Sequence, residues 1–184
     1  MTLETIHSID VLLGLGAILL QILCVFTIAL LLFRVKENKY LSFVKKNFLA
    51  IGFFISLAAV FCSLVFTEVF HWVPCFYCWY DRIYIFSQAV IFAIAWFRKD
   101  RNVFWYSLVL SSFGLINAVH HMFIYYLGEG NGPCDASGVS CVQRLMNEFG
   151  GYISIPTLAL TGFVALLTLL AVVHFYKQEK KEQK

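Results

Sequence analysis

Four of the six cysteines form two pairs, Cys75-Phe76-Tyr77-Cys78 and Cys134…Cys141, each in a short segment between long apolar runs. A C-x-x-C serves metal binding or dithiol–disulfide exchange. Pro74 precedes the first pair and a helix is expected to begin at about Cys78. A thiolate there is stabilised by unpaired amides and the helix dipole. Arg82 follows Cys78 by four residues, one turn on and on the same face. A fixed cation there favours a thiolate at Cys78, or an anion beside it. The plainer account of Arg82 is a salt bridge to Asp81. Around the second pair, Gly132-Pro133-Cys134-Asp135 reads as a turn. A disulfide in such a small-residue loop is open to attack by another protein's thiolate. The plainer account of either pair is a structural staple. The four cysteines also suit tetrahedral zinc on paper, but an oxidising compartment favours disulfides. Cys24 and Cys62 fall inside apolar runs and read as small buried hydrophobes.

The elements that must carry these residues are legible in the composition. Of 184 residues, 60% are apolar and only 14% charged, with mean hydropathy +0.77. That balance belongs in lipid rather than water. A formal net charge of +3 argues against a broad nucleic-acid surface. Five apolar runs, 11–33, 48–70, 79–97, 103–127 and 155–176, are each about the ~20 residues that cross the hydrocarbon core. In lipid their backbone groups must be satisfied within the segment, so each is expected to be a helix. Gly14, Gly16, Gly52, Gly114 and Gly162 fall inside the runs, where glycine permits close helix approach. The first run is not a signal peptide in pattern, because its positive charges follow it rather than precede it.

Charge orients the spans. Arg34, Lys36, Lys39, Lys45 and Lys46 follow the first run, Arg98, Lys99 and Arg101 follow the third, and Lys177, Lys180, Lys181 and Lys184 follow the fifth. With five spans these twelve of the fourteen basic residues share one side, which the positive-inside rule makes cytoplasmic. The expected architecture is therefore an all-α integral membrane protein with an outside N-terminus and a cytoplasmic C-terminus. Segments 71–78 and 128–154 then face outward and hold both cysteine pairs. Val142, Leu145, Met146 and Phe149 repeat at helical spacing, predicting a short amphipathic helix on the outer membrane surface.

Polar residues inside the spans gather on the same side. Glu68, His71, Asp81, Arg82, Asn117, His120 and His121 fall in the outer half, with Gln88 deeper. Asn117 and His121 are four apart and share a helix face. A few hydrogen-bonding groups among many aromatics would suit a quinone head group. Interhelical hydrogen bonding is the plainer role for any one of these histidines.

Three features together resemble the DsbB/BdbC family of disulfide-bond-forming membrane oxidoreductases. They are Pro74-Cys75-x-x-Cys78-x-x-x-Arg82, the outward Cys134/Cys141 pair, and Ile153-Ser154-Ile155-Pro156-Thr157-Leu158-Ala159-Leu160 opening the last run. The resemblance covers about residues 45–176, and the short Cys134–Cys141 spacing is more like the BdbC branch. It implies a four-helix transmembrane bundle over 47–176. An additional N-terminal transmembrane helix and basic loop would occupy 1–46, and a charged tail 177–184. It implies that Cys75, Cys78, Cys134 and Cys141 are catalytic. Cys134 would form a mixed disulfide with a DsbA-like thioredoxin-fold oxidoreductase, Cys141 would attack Cys75, and Cys78 would pass electrons to quinone. Arg82, His121 and, nearly as well placed, His120 would bind that quinone, either menaquinone or ubiquinone. No metal and no nucleic acid are expected. The implied location is the cytoplasmic (inner) membrane, among lipid and the quinone pool. The extra first span departs from the family's usual four. Two other classes compete: a structural or transport protein with two stabilising disulfides, and an enzyme of the vitamin K epoxide reductase type. The latter carries its C-x-x-C near the end of a late helix, whereas here it comes early.

Overall fold

Long runs of Leu, Ile, Val, Phe and Ala form helix wherever the sequence is apolar. The structure, a computed structural model, describes residues 3–33, 35, 37–128, 139–142, 145–146 and 149–176. Its helices are α1 (Leu3–Leu32), α2 (Lys39–Lys46), α3 (Phe48–Leu64), α4 (Phe76–Arg98), α5 (Val103–Leu127) and α6 (Ile155–Phe175), with no strand among the described residues. The stretches Ile6–Leu32, Phe48–Val69, Val103–Leu127 and Ile155–Phe175 are long and apolar enough to cross a membrane. The chain is thus an all-helical, multi-pass membrane protein. At 23 residues α4 is equally long, but Asp81, Arg82, Gln88 and Arg98 lower its hydropathy.

Helices α3, α4, α5 and α6 close into a four-helix bundle: α3 packs on α4, α4 on α5, α5 on α6, and α6 back on α3. Helix α1 lies outside this ring against α6. Phe48, Phe92, Phe163 and Leu166 fill the bundle core. Gly52 and Gly114 make two of these contacts possible, because the rings of Phe92 and Phe163 occupy the space a Cβ would need. Gly14 gives way likewise to Phe149, whereas Gly16 and Gly162 face open space rather than a neighbour. A polar clamp ties α4 to α5 in the core. Gln88 Nε2 donates to Ser107 O at 2.9 Å and Ser111 Oγ at 2.6 Å, and Ser107 Oγ donates back to Gln88 Oε1 at 2.9 Å. Every such bond matters in a dry interior that offers no alternative partner.

Two local expectations are corrected. The basic 34–46 segment is not all loop, because α2 forms within it. The Asn38 side chain caps it by accepting from the Tyr40 and Leu41 amides at 2.8 and 3.4 Å, and Leu41 and Val44 are buried. Conversely, the expected surface helix over 142–149 does not form in the described residues. Cys141 and Val142 lie in a turn, Leu145 in a bend, and Phe149–Gly151 in a 3-10 turn. The reason is burial. Met146 is 1% exposed and packs with Ala17, Phe66, Phe70 and Ile153, so this side chain plugs the end of the bundle instead of lying on lipid. Phe149 and Gly150 also take positive φ, 53° and 70°, which breaks helical continuation.

Candidate functional site

The first cysteine pair sits where α3 hands over to α4. Helix α3 ends in a π turn, Val65–Val69, and Phe66, Phe70 and Trp72 cluster over the reversal, Phe66 and Trp72 stacking at 5.4 Å. The chain then runs extended through Pro74 into Cys75, the N-cap of α4. Proline suits that position because it has no N–H to satisfy and disfavours helix in the residue before it. Cys75 Sγ accepts from the Cys78 backbone N–H at 3.4 Å, and the two sulfurs are 2.7 Å apart, close enough to share a proton.

Helix α5 supplies the rest. His121 Nε2 lies 3.6 Å from Cys75 Sγ, and its Nδ1 lies 3.5 Å from Asp81 Oδ2. Asn117 Nδ2 donates to Asp81 Oδ1 at 2.8 Å and to Tyr77 O at 3.2 Å. Tyr77 stacks on the His121 ring at 5.6 Å. The result is a buried line of thiol, imidazole, carboxylate and amide, with His121 only 2% exposed. A histidine between a sulfur and an orienting carboxylate can take or return the thiol proton. The Cys75 thiol is lowered from 9.0 to about 5, first by the hydrogen bond from Cys78, then, against the opposing cost of burial, by the bond and charge of His121. The favoured thiolate is therefore at Cys75 rather than at Cys78, because Cys75 occupies the capping position and meets the imidazole.

The remaining expected residues divide. Arg82 does not pair with Asp81. Its Nε donates to Ser63 Oγ at 2.9 Å and its Nη2 to Ser63 O at 3.1 Å, with its guanidinium 5.4 Å from the centre of the Trp79 ring. Consecutive helix residues point about 100° apart, so Asp81 meets α5 and Arg82 meets α3. The same divergence separates the histidines: His121 reaches Cys75, whereas exposed His120 contacts the Tyr77 hydroxyl at 3.2 Å. Cys141 is buried and disulfide-bonded. Cys134 lies outside the described residues. Cys24 is buried in α1 and Cys62 half-buried in α3, both as free thiols. Asp81 was given no site role by the sequence, which offered it only as the plainer salt-bridge partner of Arg82. The available signal was a carboxylate at membrane depth, which demands a partner, beside an Asn117/His121 pair on one helix face.

One cavity of about 610 Å³ joins these groups, and its walls include Cys62, Cys75, Cys78, Arg82, His121 and Cys141. The volume falls within the few-hundred to ~1,000 Å³ range of small-molecule sites. Most of the remaining lining is aliphatic or aromatic. The ligating atoms of Cys75, Cys78 and His121 also lie within 4.8 Å of one another. They supply three of the four donors that a tetrahedral zinc site uses.

Comparison with known proteins accords with this arrangement. The family model described as "Disulfide bond formation protein DsbB" matches residues 45–174. The chain is 33% identical to a "Probable disulfide formation protein C 2" of Bacillus anthracis over 141 residues, which are 77% of this chain and 100% of that protein. It is 35% identical to the "Disulfide bond formation protein C" of Bacillus subtilis (strain 168) over 137 residues, 73% of this chain and 96% of the relative. No solved structure matches it. Matched through the whole helical bundle and both cysteine-bearing segments, the chain belongs to the DsbB family of disulfide bond formation proteins.

Proposed function

We propose that this protein is a membrane thiol–disulfide oxidoreductase that reoxidises a DsbA-like extracytoplasmic thioredoxin-fold protein and passes the electrons to a membrane quinone. One observation carries the reading: a single cavity touches Cys75, Cys78 and Cys141 together with Arg82 and His121. Disulfide exchange needs sulfurs that can meet and a thiolate to attack or leave.

In this reading the partner's thiolate attacks Cys134 in a Cys134–Cys141 disulfide, releasing Cys141 as thiolate. The partner's second thiol then displaces Cys134 and leaves the partner oxidised. Cys141 attacks Cys75 of a Cys75–Cys78 disulfide, Cys78 leaves as thiolate, and Cys134 closes on Cys141 to restore the first bond. Two electrons thereby reach the Cys75/Cys78 dithiol. His121, oriented by Asp81, holds or returns the Cys75 proton.

The cavity fits a quinone in size and in its mainly apolar lining, and Arg82 and His121 supply its polar contacts. A bound quinone, menaquinone or ubiquinone, would supply a two-electron, two-proton acceptor. The same reading makes α4 a fifth span and places the N-terminus and the cysteines outside. Support comes from basic Lys45 and Arg101, which meet at the opposite end of the bundle: Arg101 donates to Lys45 O at 3.3 Å, and Lys45 Nζ donates to Tyr176 O. Such charge gathers on the cytoplasmic side.

The test combines purified protein in detergent, a reduced thioredoxin-fold partner and a soluble quinone, followed by quinone absorbance. Quinone loss that Cys78→Ser abolishes is the expected result. A folded protein that reduces none of several quinones with any partner would return the cysteines to a structural role.

A further inference from the structure

Helix α1 precedes residue 45, where the family match begins. It is nonetheless built into the bundle. Gln21 Nε2 donates to Thr161 Oγ1 at 2.7 Å, and Tyr152 OH donates to Gln21 Oε1 at 2.9 Å, which latches α1 along α6. Helix α3 packs on α4 and α6, so the space left between α1 and α3 is where the cavity continues inward from the cysteines. Its α1 wall includes Leu13, Gly16, Ala17, Leu20 and Leu23. These recur at i, i+3, i+4, i+7 and i+10, one face of a helix. From Leu13 to Leu23 the wall runs about 15 Å at the helical rise, roughly half the hydrocarbon thickness.

The cavity's polar groups gather at one end, apart from Thr161, whose hydroxyl is taken up by Gln21 and Thr157 O. On α3, Ser63 holds Arg82, whereas Phe54 and Ile55 line the deeper part, about 13 Å further along the axis. Two glycines leave the wall open, Gly16 at its outer part beside Ala17, which packs with Phe66 and Met146, and Gly162 further in. A Cβ added at Gly16 on α1 or at Gly162 on α6 meets nothing within 4 Å, and both residues line the cavity. Gly14, two residues away, is filled by Phe149. Gly14 is thus a packing glycine and Gly16 a space-keeping one. A polar end continuous with a long, dry slot matches a molecule with a polar ring and an extended apolar tail.

We infer that α1 is the outer wall of a tail channel: it encloses the apolar tail of the quinone whose ring belongs at the Arg82 and His121 end, and it selects for tail. This inference rests on the quinone reading above, and the test separates the two.

Binding to the purified full chain is measured by quenching of intrinsic tryptophan fluorescence, for which Trp72 on the cavity wall is the reporter. The probes are a long-tailed isoprenoid quinone and the same ring carrying only a methyl group. Leu20→Trp, one turn further in than Gly16 on the same α1 wall, places a larger ring in the slot and is expected to weaken the long-tailed probe by about tenfold or more. The methyl-bearing ring should stay unchanged. Gly162→Phe on the facing wall repeats the pattern, and Leu15→Phe on the exposed face of α1 changes neither probe. Leu20→Phe replaces the Trp variant if that one misfolds. Unchanged long-tail binding in the Leu20 variants, or equal weakening of both probes, overturns the role of α1. Failure of the wild type to bind either probe overturns the quinone reading itself, and the channel with it.

Discussion

His121 Nε2 stands 3.6 Å from Cys75 Sγ across the α4–α5 contact, although the residues are 46 apart in sequence. Two helices that each bury a polar stripe must satisfy those groups on one another. Here that requirement has joined an imidazole to a capping cysteine. Both predictions about proton handling follow from this pair.

In the reduced protein, alkylation of Cys75 should be half-maximal near pH 5, not near the ordinary thiol value, because thiolate is the reacting form. Cys78→Ala should raise that midpoint most, since the Cys78 hydrogen bond is the largest cause, and His121→Ala next. The linkage has a definite sign. The folded value lies below the 9.0 of a free thiol, so this thiolate's contribution to stability is complete above pH 9.0 and is lost as pH falls through about 5. Mass spectrometry of alkylated peptides against pH checks both statements, and a midpoint near 9 in the wild type would contradict the geometry.

Asp81 is a positioning residue. Asp81→Asn should slow quinone-linked thiol oxidation by about 10- to 100-fold, the scale for losing a carboxylate that orients a functional histidine. The KM for the thioredoxin-fold partner should stay the same, the pH profile should shift, and Asp81→Glu should recover part of the rate. A purely structural Asp81 would instead lower Tm without moving the pH profile.

Arg82 donates twice to Ser63 and lines the cavity. Arg82→Gln should raise the apparent KM for quinone by about tenfold, as expected for losing one charge-assisted hydrogen bond. Arg82→Lys keeps the charge and should retain more activity. If Arg82→Gln matches the wild type in steady-state kinetics, the residue only braces α3 against α4.

A partner lacking its second cysteine should accumulate an adduct to this chain through Cys134, because the thiol that displaces Cys134 is gone, and Cys134→Ala should abolish it. Non-reducing gels with and without thiol report it. Absence of a partner-sized adduct would reverse the assigned order of transfer.

The glycines divide into two stability classes. Gly52→Leu and Gly114→Leu put side chains into the Phe92 and Phe163 rings and should destabilise the bundle by about 1–3 kcal/mol each, the usual cost of overpacking. Gly16→Leu should not. Thermal unfolding in detergent, scored by retained monodispersity, distinguishes them.

The long apolar helices were legible in the sequence alone, although α2 was not. Twenty apolar residues in lipid have no alternative to helix, so all five expected runs lie within observed helical segments to within a few residues. The pairing Cys75-x-x-Cys78 and its place at the start of α4 were equally legible, because proline and spacing are local facts. Tertiary structure decided everything that depends on rotation about a helix axis or on what lies opposite. Asp81 and Arg82 are neighbours in sequence, yet one turns to His121 on α5 and the other to Ser63 on α3. His120 and His121 part in the same way. Residues 142–149 carry a helical apolar pattern, but the described Met146 is buried against Ala17 of α1 and Phe66 and Phe70 beyond the end of α3, and a short helix is marginal in isolation. The cavity, too, exists only in three dimensions: its walls come from residues as far apart as Leu12 and Phe163, and no local pattern records that α1 stops short of α3.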